Sequence, residues 1–308
     1  MFDTVEFYLL QEDCPKIDFL QAVPKYIYFI SEGAGKFGPY VNGNYGGYKV
    51  NINRYKIAFS KCSLCRFKFG NNLETLSRGD TRQIIEKMEN DLHLPVGMAN
   101  LTRIDLAKHI TMKHNPEVYL PHLGESRYYK RLEQPNGLNY QNTKRTLTFY
   151  NKIIEQQDKN KPIPEFYDGR NLLRYELRFL KRLPEQFNMP KITLSLLADE
   201  TFHQMLVKQW RDEYININKV SINTELLTPT GSSKNLLEQL AARSILKAGQ
   251  DKILTLIKEW QETNEITKKQ AFDLRQSIQK TTVAPDRFSG NDLIKELDKK
   301  IKEAARFF

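Results

Sequence analysis

Short segments in which apolar and polar residues alternate restrict the fold of this chain more than any other feature. VEFYLL, KYIYFIS, YKVNINRYKIAFS, TRIDLA and LLRYELRFL all lie within the first 190 residues and are rich in β-branched and aromatic residues. A period of two places successive side chains on opposite faces of a strand. These segments therefore predict a mostly antiparallel sheet with one apolar and one polar face.

Local signals predict further elements in the same region. Asn42-Gly43 is typical of a β-hairpin turn. Thr81–Leu92 carries apolar side chains on one helical face, and Asp80 is expected as its N-cap. The segment CSLCRFKF alternates and is predicted to be a strand. Its CxxC motif has no second CxxC pair to complete four zinc ligands, so its cysteines are expected to be structural.

The composition changes near Pro190, and helical periodicity prevails beyond it. The predicted helices of this half are Leu194–Tyr214, Lys234–Ala248, Gln250–Glu262, Thr267–Lys280 and Ser289–Phe307. Ser289 or Asn291 is expected to cap the last of them. The predicted fold class is α+β, a mostly antiparallel sheet with flanking helices over residues 1–190, followed by a C-terminal helical domain over 191–308.

The charge of the chain indicates a polyanionic partner. Its 308 residues contain 47 Lys and Arg against 37 Asp and Glu, a net charge of +10, and the first 190 residues hold 28 of the basic and 21 of the acidic side chains. Nucleic acid and anionic membranes are the usual partners of such chains. Apolar runs are too short to cross a membrane, the start does not resemble a signal peptide, and three cysteines exclude a disulfide scaffold. A cytoplasmic protein without a membrane partner is expected.

Three strand-like segments, TRIDLA, RTLTFYNKIIE and LLRYELRF, each place an acid among basic or aromatic residues. Arg103 and Asp105 share a face of TRIDLA, and Arg174, Glu176 and Arg178 share a face of LLRYELRF. Carboxylates gathered on one sheet surface can bind a hard divalent cation such as Mg²⁺. The other interpretation is a solvated face whose cross-strand ion pairs are purely structural. Composition leaves both open.

The five histidines are scattered along the chain and form no His-hydrophobic-His triplet. The two-histidine metal site of common single-strand nicking enzymes is therefore absent from the sequence. His109 and His114 are expected to be surface residues at a strand end.

TRIDLA, RTLTFYNKIIE and LLRYELRFL, in this order and preceded by KFGNNLETL, resemble the core of the filamentous-phage gene II/X family of replication initiators. That family is similar to plasmid rolling-circle initiators and to relaxases with a single active tyrosine. The resemblance covers roughly residues 50–185. It implies a metal-dependent enzyme, held in the 1–190 domain, that nicks one strand of a double-stranded origin, keeps the 5′ end as a phosphotyrosine ester and later rejoins the strand.

The resemblance also implies roles for individual residues. Tyr150 in RTLTFYNKIIE matches the active tyrosine, and Asp105, Glu155 and Glu176 match acids that hold Mg²⁺ or Mn²⁺. Lys152 is expected on the same strand face as Tyr150, where it lowers the pKa of the phenol or holds the phosphate. In a regular strand Tyr150 and Glu155 point to opposite faces. A bulge or a strand end must therefore intervene, or Glu155 is a structural partner of a basic residue.

The implied partners are double-stranded origin DNA, the displaced single strand, and a host helicase and replication machinery, in the cytoplasm of a bacterial host. The C-terminal domain is expected to bind DNA or such a partner. The residues expected to bind DNA phosphates are Arg103, Arg127, Lys130, Arg131, Lys144, Arg145, Arg174 and Arg178. Tyr128, Tyr129 and Tyr140 are alternative nucleophiles. A mobilisation relaxase with the same chemistry, or an origin-binding initiator without catalysis, are the alternative functions.

Overall fold

A computed structural model of the chain describes residues 2–167, 169–220, 250–283 and 292–306. Its strands are β1 (Phe2–Leu10), β2 (Tyr28–Gly35), β3 (Gly38–Tyr45), β4 (Tyr48–Asn53), β5 (Lys56–Ser60), β6 (Asn100–Met112), β7 (Leu123–Ser126), β8 (Lys130–Gln134), β9 (Gly137–Gln141), β10 (Arg145–Asn151), β11 (Asn171–Phe179) and β12 (Ile217–Lys219). Its α-helices are α1 (Phe19–Ala22), α2 (Leu64–Phe69), α3 (Arg78–Leu92), α4 (Lys152–Asp158), α5 (Leu183–Phe187), α6 (Glu200–Ile215), α7 (Gln250–Glu262), α8 (Lys268–Val283) and α9 (Asp292–Ala304).

Ten strands form one sheet in the order β2-β3-β4-β5-β1-β6-β11-β10-β9-β8, and their pairings are antiparallel. β7 and β12 form a separate two-stranded sheet. The predicted α+β class, with a large antiparallel sheet and C-terminal helices, is confirmed. Within the described residues, no helix is long and apolar enough to span a membrane.

One face of the large sheet is apolar and is covered by helices. Phe149 on β10 stacks on Tyr175 of β11, with ring centroids 4.4 Å apart, and Trp210 of α6 packs on the same tyrosine at 4.6 Å. The Tyr175 hydroxyl donates a hydrogen bond to the carbonyl of Trp210 at 2.9 Å. At the other end of the sheet, Tyr45 of β3 donates to Asp91 of α3 at 2.8 Å. This packing leaves the opposite face of the sheet as the polar face.

The Asn42-Gly43 turn prediction is wrong. Both residues lie inside β3, where Asn42 pairs with Asn51 of β4. The chain reverses instead at Gly46 and Gly47, which take φ values of +54° and +89°. Consecutive glycines adopt these left-handed conformations without a steric cost, so they supply the turn that an asparagine-glycine pair also favours.

Two further local predictions need correction. CSLCRFKF is not a strand, since its residues Leu64–Phe69 form α2, which begins where the hydroxyl of Ser63 accepts a hydrogen bond from the Arg66 amide. Cys62 and Cys65 are buried free thiols, and burial raises the pKa of each to about 11. The early helix α3 begins at Arg78, one turn before the predicted start, because Ser77 caps it.

The cap of α3 is a reciprocal pair. The Ser77 hydroxyl accepts from the Asp80 amide, and the Asp80 carboxylate accepts from the Ser77 amide. Asp80 is therefore the third helical residue rather than the N-cap.

The described residues divide into two compact units. Unit 1 comprises Met1–Leu120, Glu125–Asn216 and Asp298–Phe308, and unit 2 comprises Pro121–Gly124 and Ile217–Leu297. α6 thus belongs to the unit that holds the large sheet. The predicted domains 1–190 and 191–308 stay a prediction.

The C-terminal helices follow the predicted pattern in part. In unit 2, α7 and α8 pack Ile257, Ala271 and Ile278 into a small core. The predicted helix Leu194–Tyr214 is a short 3-10 helix followed by α6, whose N-cap is Asp199. The predicted helix 234–248, and the capping residues Ser289 and Asn291, lie outside the described residues.

Candidate active site

Three adjacent strands bring the polar residues of TRIDLA, RTLTFYNKIIE and LLRYELRFL together at the middle of the polar face. β11 lies between β6 and β10, with Tyr150 opposite Arg174, and Arg178 opposite Asp105. Residues directly opposite each other in an antiparallel pair share a face. Tyr150, Asp105, Arg174, Glu176 and Arg178 therefore lie on the same face of the sheet.

Tyr150 is half-buried and makes a defined hydrogen bond. Its phenolic O–H donates to Oε1 of Glu176 at 2.8 Å. Burial raises the pKa of Tyr150 well above its usual range, the charge of Arg174 opposes that rise, and Glu176 adds to it. The resting phenol is thus protonated, and its proton already points at a carboxylate.

Glu176 is a buried carboxylate held by two guanidinium groups. Arg174 Nε donates to its Oε1 at 2.5 Å, and Arg178 Nη2 donates to its Oε2 at 2.5 Å. Burial favours the neutral acid, but the charges of Arg174 and Arg178 outweigh burial, so the pKa of Glu176 lies well below its usual range. Glu176 is therefore an ionised hydrogen-bond acceptor at neutral pH.

Arg174 is 2% exposed and is the centre of this network. Besides Glu176 it contacts the Asp3 carboxylate, donates to the Asn72 carbonyl at 3.2 Å and lies 2.6 Å from Nε2 of His109. A guanidinium only donates, so His109 Nε2 must accept. The proton of His109 is therefore on Nδ1, which lies 3.2 Å from the carbonyl of Leu73.

His109 is consequently neutral, and the prediction that it is a surface residue at a strand end is wrong. The same prediction for His114 is confirmed, since His114 is exposed just beyond the end of β6. His109 lies within β6, and burial together with the charge of Arg174 lowers its pKa well below the usual value. The alternation of β6 places Asp105, Ala107 and His109 on one face, a signal by which the sequence could have assigned it. Asp3 and Asn72 gave no comparable signal, because they reach Arg174 from distant parts of the chain.

Asp105 forms a second ion pair beside the first. Arg103 Nε and Nη2 bind its two carboxylate oxygens at 2.8 and 2.6 Å, and Arg178 Nε lies 3.6 Å from Oδ2. Burial raises the pKa of Asp105 to about 6, although both arginines act to lower it. Arg178 therefore links the carboxylates of Asp105 and Glu176.

Lys152 and Glu155 lie on a helix, so the prediction of Lys152 on the strand face of Tyr150 is wrong. β10 ends at Asn151, whose side-chain oxygen accepts from the amides of Ile153 and Ile154 and so begins α4. In a regular strand Tyr150 and Glu155 would point to opposite faces, and a strand end between them is one of the explanations that the sequence offered. Lys152 is fully buried and donates to Glu155 Oε2 at 2.7 Å and to Asn72 Oδ1 at 3.3 Å.

Burial lowers the pKa of Lys152, and Arg174 lowers it further, while Glu155 acts to raise it. Glu155 also pairs with Lys159. Both carboxylate oxygens of Glu155 are thus engaged by ammonium groups, which is the basic pairing that the sequence offered as an alternative to metal binding.

The three predicted metal ligands do not fit a metal ion in this arrangement. Asp105, Glu155 and Glu176 are each paired with arginine or lysine. Within the part of the chain that the structure describes, no group of three or more His, Cys, Asp and Glu side chains is placed to hold a metal ion. A Mg²⁺ or Mn²⁺ site therefore stays a prediction from the sequence resemblance.

Only some of the predicted DNA-binding residues belong to this site. Arg103, Arg174 and Arg178 line it, as described above. Lys130 on the edge strand β8 also lies on the polar face. A cross-strand row connects it to Arg178, since Arg178 pairs with Thr146, Thr146 with Gln141, and Gln141 with Lys130. Arg127 and Lys144 lie between strands, against Tyr128 and Glu185.

Arg131 and Arg145 point to the opposite face of the sheet from Tyr150. Arg131 lies opposite the buried Tyr140, and Arg145 lies opposite the buried Phe179 and pairs with Glu213 of α6. Among the alternative nucleophiles, Tyr129 and Tyr140 are buried and Tyr128 is exposed.

A single polar sheet face with a hydrogen-bonded tyrosine, two buried carboxylates and three arginines is a candidate site for phosphodiester chemistry. The profile of a family of phage replication-associated proteins, described as the N-terminal region of the gene II protein, matches residues 48–213 of the chain. This match covers more than half of the chain and includes Tyr150 and its partners on the polar face. A comparison with curated proteins returned no match.

The chain therefore belongs to the phage replication-associated protein family, and the resemblance inferred from the sequence is confirmed. Its role is in phage DNA replication, as an initiator that acts on origin DNA.

Proposed function

We propose that this protein initiates rolling-circle replication by nicking one strand of the origin and later rejoining it, with Tyr150 as the nucleophile. The observation that supports this most directly is the hydrogen bond from Tyr150 to Glu176 on a sheet face lined by Arg103, Arg174 and Arg178. A phenol, a carboxylate that accepts its proton and guanidinium groups that bind phosphate are the groups that such a transfer requires.

In the nicking step Tyr150 Oη attacks the scissile phosphorus, and its proton passes to Glu176. A bond forms between Oη and phosphorus while the bond from phosphorus to the 3′ oxygen breaks. The leaving 3′ oxygen takes up a proton from solvent water and becomes a hydroxyl. The 5′ end stays on Tyr150 as a phosphotyrosine ester, which conserves one phosphodiester-type bond, so rejoining by the reverse step needs no ATP.

The arginines explain how the resting site becomes reactive. Arg174 and Arg178 keep the pKa of Glu176 low in the free protein, so Glu176 is a weak base there. A bound phosphate competes for the exposed edge of Arg178, whose side chain is 34% exposed, while Arg174 stays buried. As the hold of Arg178 on Glu176 weakens, the pKa of Glu176 rises and the carboxylate becomes a better acceptor for the phenolic proton.

Lys152 and Glu155 support the site from α4 in this proposal. Lys152 is too deeply buried to reach a phosphate, and its ammonium group adds positive potential behind Arg174. The Asn72 segment, which receives a hydrogen bond from both Lys152 and Arg174, joins α4 to the network. No step of the proposal passes through a metal ion. The setting is the cytoplasm of a bacterial host.

The test is a nicking assay on supercoiled replicon DNA, with detection of protein covalently attached to a 5′ end. Tyr150→Phe should bind the origin and form neither nicked circles nor the adduct. Tyr128→Phe is the matched control, because Tyr128 is an exposed tyrosine beside Arg127, and it should retain both. An adduct in Tyr150→Phe contradicts the assignment, and binding without nicking by the unmodified protein favours an origin-binding initiator without catalysis.

A further inference from the structure

The polar face continues beyond Tyr150 and Glu176 to the β2 edge of the sheet. A straight cross-strand row runs from Tyr8 on β1 to Ala58, then to Asn51, Asn42 and finally Ser31 on β2. Between Tyr8 and the edge this row holds only small side chains, and the amide of Asn51 donates to that of Asn42 at 2.8 Å. The row is therefore a shallow trough across five strands, with Tyr8 of β1 at its inner end.

Both sides of the trough carry a lysine, and one side carries a tyrosine. On one side Ser60 pairs with Lys49, and Lys49 pairs with Asn44. On the other side lie Lys56 and Tyr40, from β5 and β3. Side chains two residues apart along a strand are ~7 Å apart, so the two sides are about 13 Å from each other. One unpaired nucleic-acid strand fits between them.

The two tyrosines of the trough are set as flat apolar surfaces. Tyr40 lies across Gly33, where an added Cβ would come within 2.5 Å of the tyrosine Oη, so only glycine allows this position of the ring. Tyr8 lies under Lys56, whose Nζ is 4.9 Å from the ring centroid. Both rings are half-buried on the polar face and opposite the helix-covered side.

We propose that this trough, formed by Tyr8, Ala58, Asn51, Asn42 and Ser31 with Tyr40, Lys49 and Lys56 beside it, binds single-stranded DNA without sequence preference. Residues 28–60 contain four basic side chains and one acidic side chain, which complements a phosphate backbone. Unpaired bases stack on aromatic rings, whereas paired bases leave no free face for them. A polar trough with lysines on both sides matches the phosphates of a nucleic-acid strand better than the surface of a protein partner.

The position of the trough extends the proposed function, on which this last step rests. The strand of Tyr8 is three places from the strand of Tyr150 in the sheet order, ~14 Å across the strands. Tyr8 pairs with Asn100 of β6, whereas Tyr150 lies in the cross-strand row of His109, ~30 Å further along that strand. The two tyrosines are thus roughly 33 Å apart, and at about 3.4 Å per stacked nucleotide roughly ten nucleotides span that distance. The displaced strand next to a nick at Tyr150 can therefore continue along the same sheet face into the trough.

The test measures the affinity of the full chain for a labelled 20-nucleotide oligothymidine by fluorescence anisotropy. Tyr8→Leu and Tyr40→Leu should each weaken binding about fivefold or more, as expected for loss of one stacked base. Tyr26→Leu is the matched control, since Lys25 lies 4.9 Å from the centre of its ring while the ring packs on His93 at the end of α3, on the helix-covered side. It should bind as the unmodified protein does.

Unchanged affinity in both trough variants, or an equal loss in Tyr26→Leu, overturns the proposal. A second result also overturns the proposal. If sedimentation shows that the trough variants lose a dimer formed by the unmodified protein, while their oligothymidine affinity is unchanged, the surface is a contact between two copies of the chain. If a trough variant does not fold, photocrosslinking of the unmodified protein to an iodouracil-containing oligonucleotide replaces it. Crosslinks at Tyr8 or Tyr40 support the proposal, and crosslinks confined to other peptides contradict it.

This experiment separates the two proposals, because oligothymidine offers no origin to nick. Tyr150→Phe should bind it as the unmodified protein does. If oligothymidine binding depends on Tyr8 and Tyr40 but the protein never nicks its origin, the proposal for the trough is supported and the proposed nicking function is contradicted. If nicking depends on Tyr150 but the oligothymidine affinity is the same in both trough variants as in the unmodified protein, the nicking function is supported and the proposal for the trough is contradicted.

Discussion

Tyr150 on β10 and Glu176 on β11 are diagonal neighbours across an antiparallel strand pair, and the phenol donates a 2.8 Å hydrogen bond to the carboxylate. Glu176 is in turn held by Arg174 and Arg178, so the proton acceptor and the phosphate-binding groups belong to one network.

Glu176→Gln should lower the single-turnover nicking rate by about 10²-fold or more, because the amide cannot accept the phenolic proton. Asp105→Asn is the matched control: it is also a buried carboxylate paired with arginines, but Tyr150 does not donate to it. Its nicking rate should fall by less than about tenfold. Thermal melts of both variants establish that they are folded, and equal rate losses in the two would contradict a distinct role for Glu176.

The raised pKa of Asp105 predicts a pH-dependent loss of stability. With a pKa of about 6 in the folded protein, against 3.8 for the free side chain, the folded state binds more protons between these values. The contribution of Asp105 is therefore fully present below about pH 4 and is lost as the pH rises through 6. Relative to Asp105→Asn, the wild type should lose about 1–3 kcal/mol of unfolding free energy between pH 4 and pH 7.

Denaturant unfolding of both proteins at several pH values measures this difference. Asparagine stands in for the neutral acid and does not titrate, so other titrating groups largely cancel in the comparison. The difference in unfolding free energy between the two proteins could instead stay constant, or grow in favour of the wild type as the pH rises. Either result would show that the two arginines, rather than burial, determine the pKa of Asp105.

Glu155→Gln should destabilise the protein by about 3 kcal/mol, because it leaves the buried ammonium group of Lys152 without its carboxylate. The double variant Lys152→Met/Glu155→Gln should recover much of that loss, since no buried charge then remains. The concentration of divalent cation needed for half-maximal nicking should not change in Glu155→Gln. A large increase in that concentration, with stability unaltered, would instead make Glu155 a metal ligand.

Origin binding should fall with salt concentration, and the two faces of the sheet should contribute unequally. Arg103→Gln should reduce the slope of log affinity against log salt by about one, as expected for one lost phosphate contact. Arg131→Gln should leave the slope unchanged, because Arg131 lies on the helix-covered side with Tyr140. Equal slopes for the two variants would place the DNA elsewhere on the protein.

Alternation along the strands was sufficient to predict the polar face and most of its members. Arg103, Asp105, Arg174, Glu176 and Arg178 lie together because a period of two and neighbouring strands leave no other arrangement. The two-residue period alone did not predict where a side-chain cap ends a strand and begins a helix. Asn151 ends β10 and Ser63 begins α2 through hydrogen bonds of their own side chains, which override the alternation of the residues that follow.

The groups behind Arg174 depend on contacts between distant parts of the chain. Asp3 lies 171 residues before Arg174 in the sequence, and Asn72 lies 102 residues before it. Asn72 lies in KFGNNLETL, a segment of the sequence resemblance, but no pattern in the sequence places Asn72 or Asp3 next to Arg174. The burial that fixes the protonation states of His109 and Lys152 is likewise a property of the assembled sheet and loops.

The most direct test of the central claim is to identify the residue that carries DNA after the reaction. The unmodified protein is incubated with supercoiled replicon DNA, the adduct is digested with nuclease and protease, and the peptide that retains a nucleotide is sequenced by mass spectrometry. The proposed function predicts a nucleotide on Tyr150, linked through a 5′ phosphate. A nucleotide on Tyr128, Tyr129 or Tyr140, or nicked DNA without any protein-linked nucleotide, would contradict it.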